Sequence, residues 1–435
     1  MSGLAAWLVA TFFCQPAFAY LDPGTGSMLT STVVALLGTL LFFFKGIYYK
    51  ALRGVPRLIG RKVADDTSTH SLVFYSEGRQ YWSTFKPVIA ELVGRGVQCR
   101  YLTSDERDPG LSYSSDVVSS EYIGAGTQAY AYLRRLEADV CVMTTPGLDV
   151  LQIKRSRGVK HYAHLVHAPT DAAIYRKYSF DYYDSILTSG EHQINSIKKL
   201  EELRGTRRKL ILKTGCVYYD ELSRRSKEVE HAAGPKTHGT VLVAPTWGTN
   251  GLLRRFGKGI LVPLLDRGHK VILRPHPQSF ISEGEMLNDL RKDLGQYGNL
   301  RWDSDSDGMG SMALADVMVS DISGVAFDFA FLFEKPVITV KYDLNRIGLE
   351  AADLPWDPWE LTVLDVIGKQ IDEAELVNLP DIIEFQNGTN GRKEAIRSLR
   401  ERSVYNFGCS SAHVANELLL IRDSVRSSQS LAPGS

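Results

Sequence analysis

The chain has no cysteine pair at CxxC spacing and no histidine cluster at zinc spacing; its five cysteines, Cys14, Cys99, Cys141, Cys216 and Cys409, are scattered over 435 residues. That excludes zinc ribbons and dithiol redox motifs. Cys99 and Cys141 lie in apolar, strand-like runs, so they read as small buried hydrophobes in a reducing compartment rather than as disulfides. Net charge is missing as well: Lys plus Arg and Asp plus Glu both total 50. Nothing global advertises nucleic-acid binding, and any electrostatic function must be local. A phosphate-binding loop ending in Gly-Lys-Ser/Thr is absent, which disfavours a nucleoside triphosphatase. There is no short repeat and no low-complexity tract ahead of the Ser-rich tail after Arg422.

What is present begins with an apolar amino terminus. Leu4 to Phe13 is almost wholly apolar and Gln15-Pro-Ala-Phe-Ala19 ends in the small residues a signal peptidase reads, so residues 1–19 are expected to be a signal peptide or a first membrane segment. Met28 to Phe44 is an uncharged run of 17 residues, at the short end for a transmembrane helix. Lys45, Lys50, Arg53, Arg57, Arg61 and Lys62 follow with no acid before Asp65, which places the rest of the chain in the cytoplasm by the positive-inside rule. Residues 20–65 therefore read as a membrane anchor with a basic juxtamembrane segment.

From residue 70 onward strands alternate with helix-length segments. Ser71–Tyr75, Val97–Leu102, Ala138–Met143, His161–His167, Ser185–Thr188 and Lys209–Lys213 read as strands, with a helix from Trp82 to Gly94. The polar stretch Arg224 to His238, with Gly234-Pro235, breaks the rhythm and reads as a connector. The pattern then repeats: strands Thr240–Ala244, Lys270–Leu273, Ala315–Val319 and Val337–Lys341, with a helix from Gly324 to Phe333. A chain this long, 44% hydrophobic, can bury two cores. The expected architecture is α/β, with two doubly wound Rossmann-like domains over 66–225 and 239–422, a linker at 226–238 and a disordered tail at 423–435.

Candidate chemistry sits where these strands end. Leu273 runs into Arg274-Pro-His276-Pro, so the imidazole is held on a stiff turn between two fixed-φ residues beside a cation. Ser320, Asp321, Ser323 and Gly324 follow another strand and open a helix, a turn suited to an anion. Ala244-Pro-Thr-Trp-Gly-Thr-Asn-Gly251 is a polar loop in which backbone amides and Thr246 could meet a diphosphate. In the first half His164-Leu-Val-His167 ends a strand, and His167 with Asp171 nearby is a candidate general base. Asp303-Ser-Asp-Ser-Asp-Gly308 starts like a calcium loop, but its twelfth position is Leu314, so it reads as a solvated loop and helix cap.

In this order, the His167 region, Thr214-Gly-Cys-Val-Tyr-Tyr-Asp220, Ala244-Pro-Thr-Trp247, Leu273-Arg-Pro-His-Pro277, Ala315 to Phe329 and Lys335-Pro-Val-Ile338 resemble the CDP-glycerol glycerophosphotransferase family of teichoic acid synthesis, over roughly residues 140–420. The resemblance implies a GT-B fold whose two domains face across a cleft, on the cytoplasmic side of a bacterial membrane. It implies a CDP-activated donor, a lipid-linked or polysaccharide acceptor, and no metal or other cofactor. His167 then matches the proposed base, His276 the histidine at the donor diphosphate, and Ser323 with Gly324 the phosphate turn. Asp171 joins the catalytic set, and Thr246, Arg274, Ser320, Asp321 and Asp328 complete the expected donor-binding set. The chain departs from the family pattern at Ala168-Pro169, at Val217-Tyr218-Tyr219 and at Gly324.

Overall fold

The computed structural model describes residues 70–232, 239–305, 307–341, 344–387 and 391–430. The expected leader and anchor, residues 1–65, lie outside the described residues, as do 233–238 of the linker and 431–435 of the tail. Among the described residues no helix is long and apolar enough to cross a membrane.

Two wholly parallel sheets organise the chain. Strands β1 (His70–Ser76), β2 (Cys99–Thr103), β3 (Val118–Tyr122), β4 (Ala138–Met143), β5 (Val159–Leu165), β6 (Ser185–Thr188) and β7 (Leu210–Lys213) form the first, in order β3-β2-β1-β4-β5-β6-β7. Strands β8 (Thr240–Ala244), β9 (Lys270–Leu273), β10 (Leu300–Trp302), β11 (Val317–Ser320), β12 (Val337–Val340) and β13 (Gly368–Ile371) form the second, in order β10-β9-β8-β11-β12-β13. Both orders reverse after the first strand of the unit, and ligands in such sheets bind beyond the carboxyl ends at that reversal.

The inner strands are continuous apolar runs because helices cover both faces: every residue of β4, β8, β11 and β12 is buried. The helices used below are α1 (Trp82–Gly94), α2 (Glu191–Arg204), α3 (Tyr218–Ala232), α4 (Pro277–Ser282), α5 (Met309–Leu314), α6 (Gly324–Phe333) and α7 (Ser410–Ser430). Residues 326–333 of α6 are buried all round, including four phenylalanines, so this helix is core and only its first turn reaches the surface.

Two expectations are corrected here. The connector begins later than its polarity suggests, because Tyr218–Ala232 is a helix whose Tyr219, Ser223 and Ser226 are buried. The tail is helical to Ser430 rather than disordered. Helix α7 returns to the first sheet, where Val414, Ala415, Leu418 and Ile421 share a core with Phe74, Phe85 and Leu187, and Arg426 pairs with Asp139 at 2.7 Å. The start of α7 is held by Asp220, whose carboxylate accepts from the N–H groups of Ser410 and Ser411 at 2.9 and 2.7 Å. Gly215, at φ +92, admits the Tyr405 carbonyl at that crossing; a Cβ would lie 2.0 Å from it.

Candidate active site

The first half-site lies at the carboxyl ends of β4, β5 and β6, where polar atoms are buried without partners. Among the described residues, Thr144 Oγ1, both ring nitrogens of His164, His167 Nδ1 and Ser189 Oγ have no hydrogen-bond partner. Native interiors rarely leave such groups unsatisfied, so their concentration at three adjacent strand ends marks a place where a polar ligand or solvent belongs. His164 is the deeper imidazole, fully buried against the rings of Phe180 and Tyr183 at 5.1 and 4.9 Å between centroids. Burial pushes it down to about 3, so it is neutral. His167 packs edge-on against Tyr81 at 5.1 Å, and burial again lowers its pKa. A neutral imidazole with an unpartnered nitrogen can accept a proton.

The loop after His167 is fastened by α2. His192 Nε2 donates to the Pro169 carbonyl at 2.7 Å, and Gln193 Nε2 donates to those of Ala168 and Thr170 at 3.2 and 2.7 Å. Glycine would be free to bend there; in this chain two side chains of the first α2 turn fix Ala168 and Pro169 instead. Asp171 makes no hydrogen bond to His167 among the described residues. Its carboxylate, 1% exposed, accepts from the N–H groups of Ala173 and Trp359 at 3.3 and 3.0 Å, and its own N–H donates to Glu360 Oε1 at 2.6 Å. It is a hinge fastener between the two sheets' domains. Neither His192, Gln193 nor Glu360 stands out in the sequence, because each acts through main-chain groups that no motif records.

The second half-site surrounds the carboxyl ends of β8, β9 and β11. His276 is exposed and forms the N-cap of α4, its Nδ1 accepting from the Gln278 N–H at 3.1 Å. That bond places the ring proton on Nε2, the atom left to donate to a ligand. Partial burial lowers its pKa, with Glu283 opposing. Ser323 takes the N-cap position of α6, but no side chain caps that helix; its hydroxyl sits 3.3 Å from that of Ser320. The first N–H groups of α6 and the exposed Gly324 are thus available to an anion.

Several donor candidates hold this half-site together rather than face a ligand. Arg274 is engaged with Asp303 at 2.9 Å, and Asp303 also accepts from Ser311 Oγ at 2.6 Å. The Asp303 string is thus a buried strut at its first residue and, beyond it, the expected solvated loop and helix cap: Ser304, Asp305 and Asp307 are exposed, and Asp307 Oδ1 accepts from the Met309 N–H at 3.0 Å. The buried Asp321 carboxylate accepts from the N–H groups of Thr246 at 2.8 Å and Leu252 at 3.1 Å, shaping the 246–252 loop and occupying the Thr246 amide expected to meet a diphosphate. Burial raises Asp321 to about 6. Ser320 Oγ donates to the Ala244 carbonyl at 2.7 Å. Asp328 lies one turn into α6, in a cavity of about 320 Å3 with Tyr218, Arg225 and Met312, and accepts from Tyr218 Oη at 3.1 Å. It is away from the phosphate turn, and burial raises it to about 7.

Beyond the ends of β12 and β13 opens a cavity of about 800 Å3 lined by Asn250, Arg255, Lys341, Arg346, Gln370 and Asp372, among others. Its three cations are paired with nearby acids, Lys341 with Asp372 at 3.1 Å, Arg346 with Asp357 and Arg255 with Glu373 at 4.0 Å, and with the amide-bearing Asn250 and Gln370 they line a polar cavity large enough for a nucleotide. Sequence reasoning missed this set because the residues are single and far apart in the chain.

Two parallel-sheet domains joined by α3 and α7, with ligand groups on both sets of strand ends, define the two-domain α/β class to which nucleotide-dependent transferases of GT-B type belong. Among known structures, similar folds include a variant of the wall teichoic acid polymerase TagF, at 18% identity and TM-score 0.52, covering 88% of this chain and 98% of that one. Another is the UDP-GlcNAc 2-epimerase from Methanocaldococcus jannaschii, at 13% identity and TM-score 0.54, covering 80% and 99%. At these identities the likeness is one of fold. No curated protein matches by sequence. The family model for CDP-Glycerol:Poly(glycerophosphate) glycerophosphotransferase matches residues 97–347, more than half of the chain, and the protein belongs to that family. It is a transferase of the CDP-glycerol glycerophosphotransferase type.

Proposed function

We propose that this transferase moves glycerol phosphate, or a closely similar polyol phosphate, from a CDP-activated donor to a hydroxyl of a lipid-linked or polysaccharide acceptor in cell-envelope polymer synthesis. It does so at the cytoplasmic face of the bacterial membrane, tethered by residues 20–65. The supporting observation is that the family match over 97–347 contains both half-sites, the neutral His167 and the His276 and Ser323 ends.

In this reading the acceptor hydroxyl oxygen attacks the β-phosphorus of the donor in line. Its proton passes to His167, the new O–P bond forms, and the bond from that phosphorus to the bridging oxygen breaks with CMP departing. His276 Nε2–H, the Ser323 hydroxyl and the first amides of α6 stabilise charge on the departing phosphate, with Arg255 and Lys341 holding the nucleotide. The reaction releases CMP and lengthens the acceptor by one polyol phosphate.

The test is nucleotide release with CDP-glycerol, CDP-ribitol and UDP-sugars as donors in the presence of a glycerol phosphate-primed acceptor. Acceptor-dependent CMP release from a CDP-polyol is expected. Release of UDP from a sugar donor, with CDP-polyols inert, would replace this reading by a glycosyltransferase.

A further inference from the structure

A groove of about 580 Å3 runs along α2, walled on the other side by the segment from Trp356 to Thr362. Its volume falls within the roughly 300–1,000 Å3 of small-molecule sites. It begins at His192, whose ring stacks on Trp359 at 4.3 Å and 21°, and follows the helix through Asn195, Ser196 and Lys199 to Glu202. That stripe spans about 15 Å at 1.5 Å per residue, enough for a short oligosaccharide rather than a single ring.

Three features of this groove point to a ligand. Ser196 is 1% exposed and lines the groove, yet its Oγ has no partner among the described residues. Trp356 is 40% exposed, offering an indole face near the stacked His192 and Trp359. Lys198 is exposed and in no ion pair among the described residues, whereas Lys199 is neutralised by Glu202 at 2.9 Å. Flat aromatic faces beside hydroxyl and amide groups suit the apolar face and the hydroxyls of a pyranose, and the lysine suits a phosphate. Asp357 lines both this groove and the larger cavity, and His192, at the end of the groove, fastens the loop carrying His167, so the groove adjoins that loop.

We propose that this groove is the acceptor subsite and that it takes the phosphorylated sugar portion of the acceptor behind the reacting hydroxyl. The proposal rests on the transferase reading and adds the chemical class of the acceptor. The experiment uses the full chain with Trp356→Ala and Lys198→Gln, both exposed positions outside the catalytic set. KM for an acceptor carrying a pyranose disaccharide phosphate should rise about tenfold in each variant, with kcat and the KM for CDP-glycerol unchanged. Acceptor KM within twofold of wild type in both variants would overturn the proposal. Tryptophan fluorescence titrated with the free disaccharide phosphate gives a reading independent of turnover. Saturable quenching lost in Trp356→Ala supports the subsite even if no CMP is released; quenching only by a glycerol phosphate oligomer, and not by the disaccharide, overturns it.

Discussion

The N–H of Asp171 donates to Glu360 Oε1 while the Asp171 carboxylate accepts from the N–H of Trp359, so the loop carrying His167 is pinned to the opposite domain by reciprocal bonds of 2.6 and 3.0 Å. The pin extends along α2: Arg204, at its other end, bonds Glu350, and Ser179 N–H donates to the same carboxylate at 2.9 Å. The geometry of the first half-site therefore depends on residues of the second domain. Asp171 is a positioning residue, acting on His167 through the loop.

Glu360 gives this pin a measurable signature. Burial, reinforced by the Asp171 charge, raises its carboxyl from 4.5 to about 8, so it is largely neutral near pH 7. A folded-state carboxyl pKa above the unfolded value means the folded protein holds a proton the unfolded chain has released; stability therefore falls as pH rises from about 4.5 to about 8. Glu360→Gln keeps the acceptor for the Asp171 N–H and removes that titration. Thermal midpoints across this window should decline less steeply in the variant than in wild type; parallel curves would show that Glu360 does not carry the proton.

His276 has two roles that substitution can separate. Its Nδ1 caps α4, and its Nε2–H is the atom assigned to the departing phosphate. His276→Asn retains a capping side chain, whereas His276→Ala loses the cap at a cost of about 1 kcal/mol. Both should lower kcat by roughly tenfold or more, but only the alanine variant should also lose stability. Wild-type turnover in the asparagine variant would leave His276 with capping alone.

Asp321 is predicted to shape the donor loop. Asp321→Ala leaves the N–H groups of Thr246 and Leu252 without an acceptor, at about 1–3 kcal/mol each. It should therefore unfold earlier in denaturant and raise the KM for the donor more than that for the acceptor. Unchanged donor KM would mean that the 246–252 loop does not contact the nucleotide.

The carboxyl-terminal helix is predicted to be part of the first domain's core. Leu418→Ala should cost about 2–5 kcal/mol, because Leu418 is fully buried against that sheet. A denaturation midpoint equal to wild type would mean that α7 is peripheral.

Much of the fold was legible because buried parallel strands are apolar runs bounded by polar ends. All ten segments read as strands overlap strands of the two sheets, but the edge strands β3, β10 and β13 escaped notice: Val118–Tyr122 and Gly368–Ile371 are short and half polar, as edges are. Helix α3 was hidden by the charges of its exposed face, and α7 by a serine-rich end that gave no hint of the core it meets. At the site, the imidazoles His167 and His276 and the Ser323 turn stand at strand ends as their positions imply. Asp171, Arg274, Asp321 and Asp328 each have a protein partner that no motif records, Trp359, Asp303, Leu252 or Tyr218, up to 188 residues away. The Arg255 and Lys341 cavity left no local trace.

The most direct test is acceptor-dependent CMP release from CDP-glycerol by the wild-type and His167→Ala proteins, with CDP-induced thermal stabilisation measured alongside. The account predicts release by wild type, a loss of about 10²-fold or more in His167→Ala, and equal stabilisation of both by CDP. A His167→Ala protein that binds CDP and turns over at the wild-type rate would contradict it.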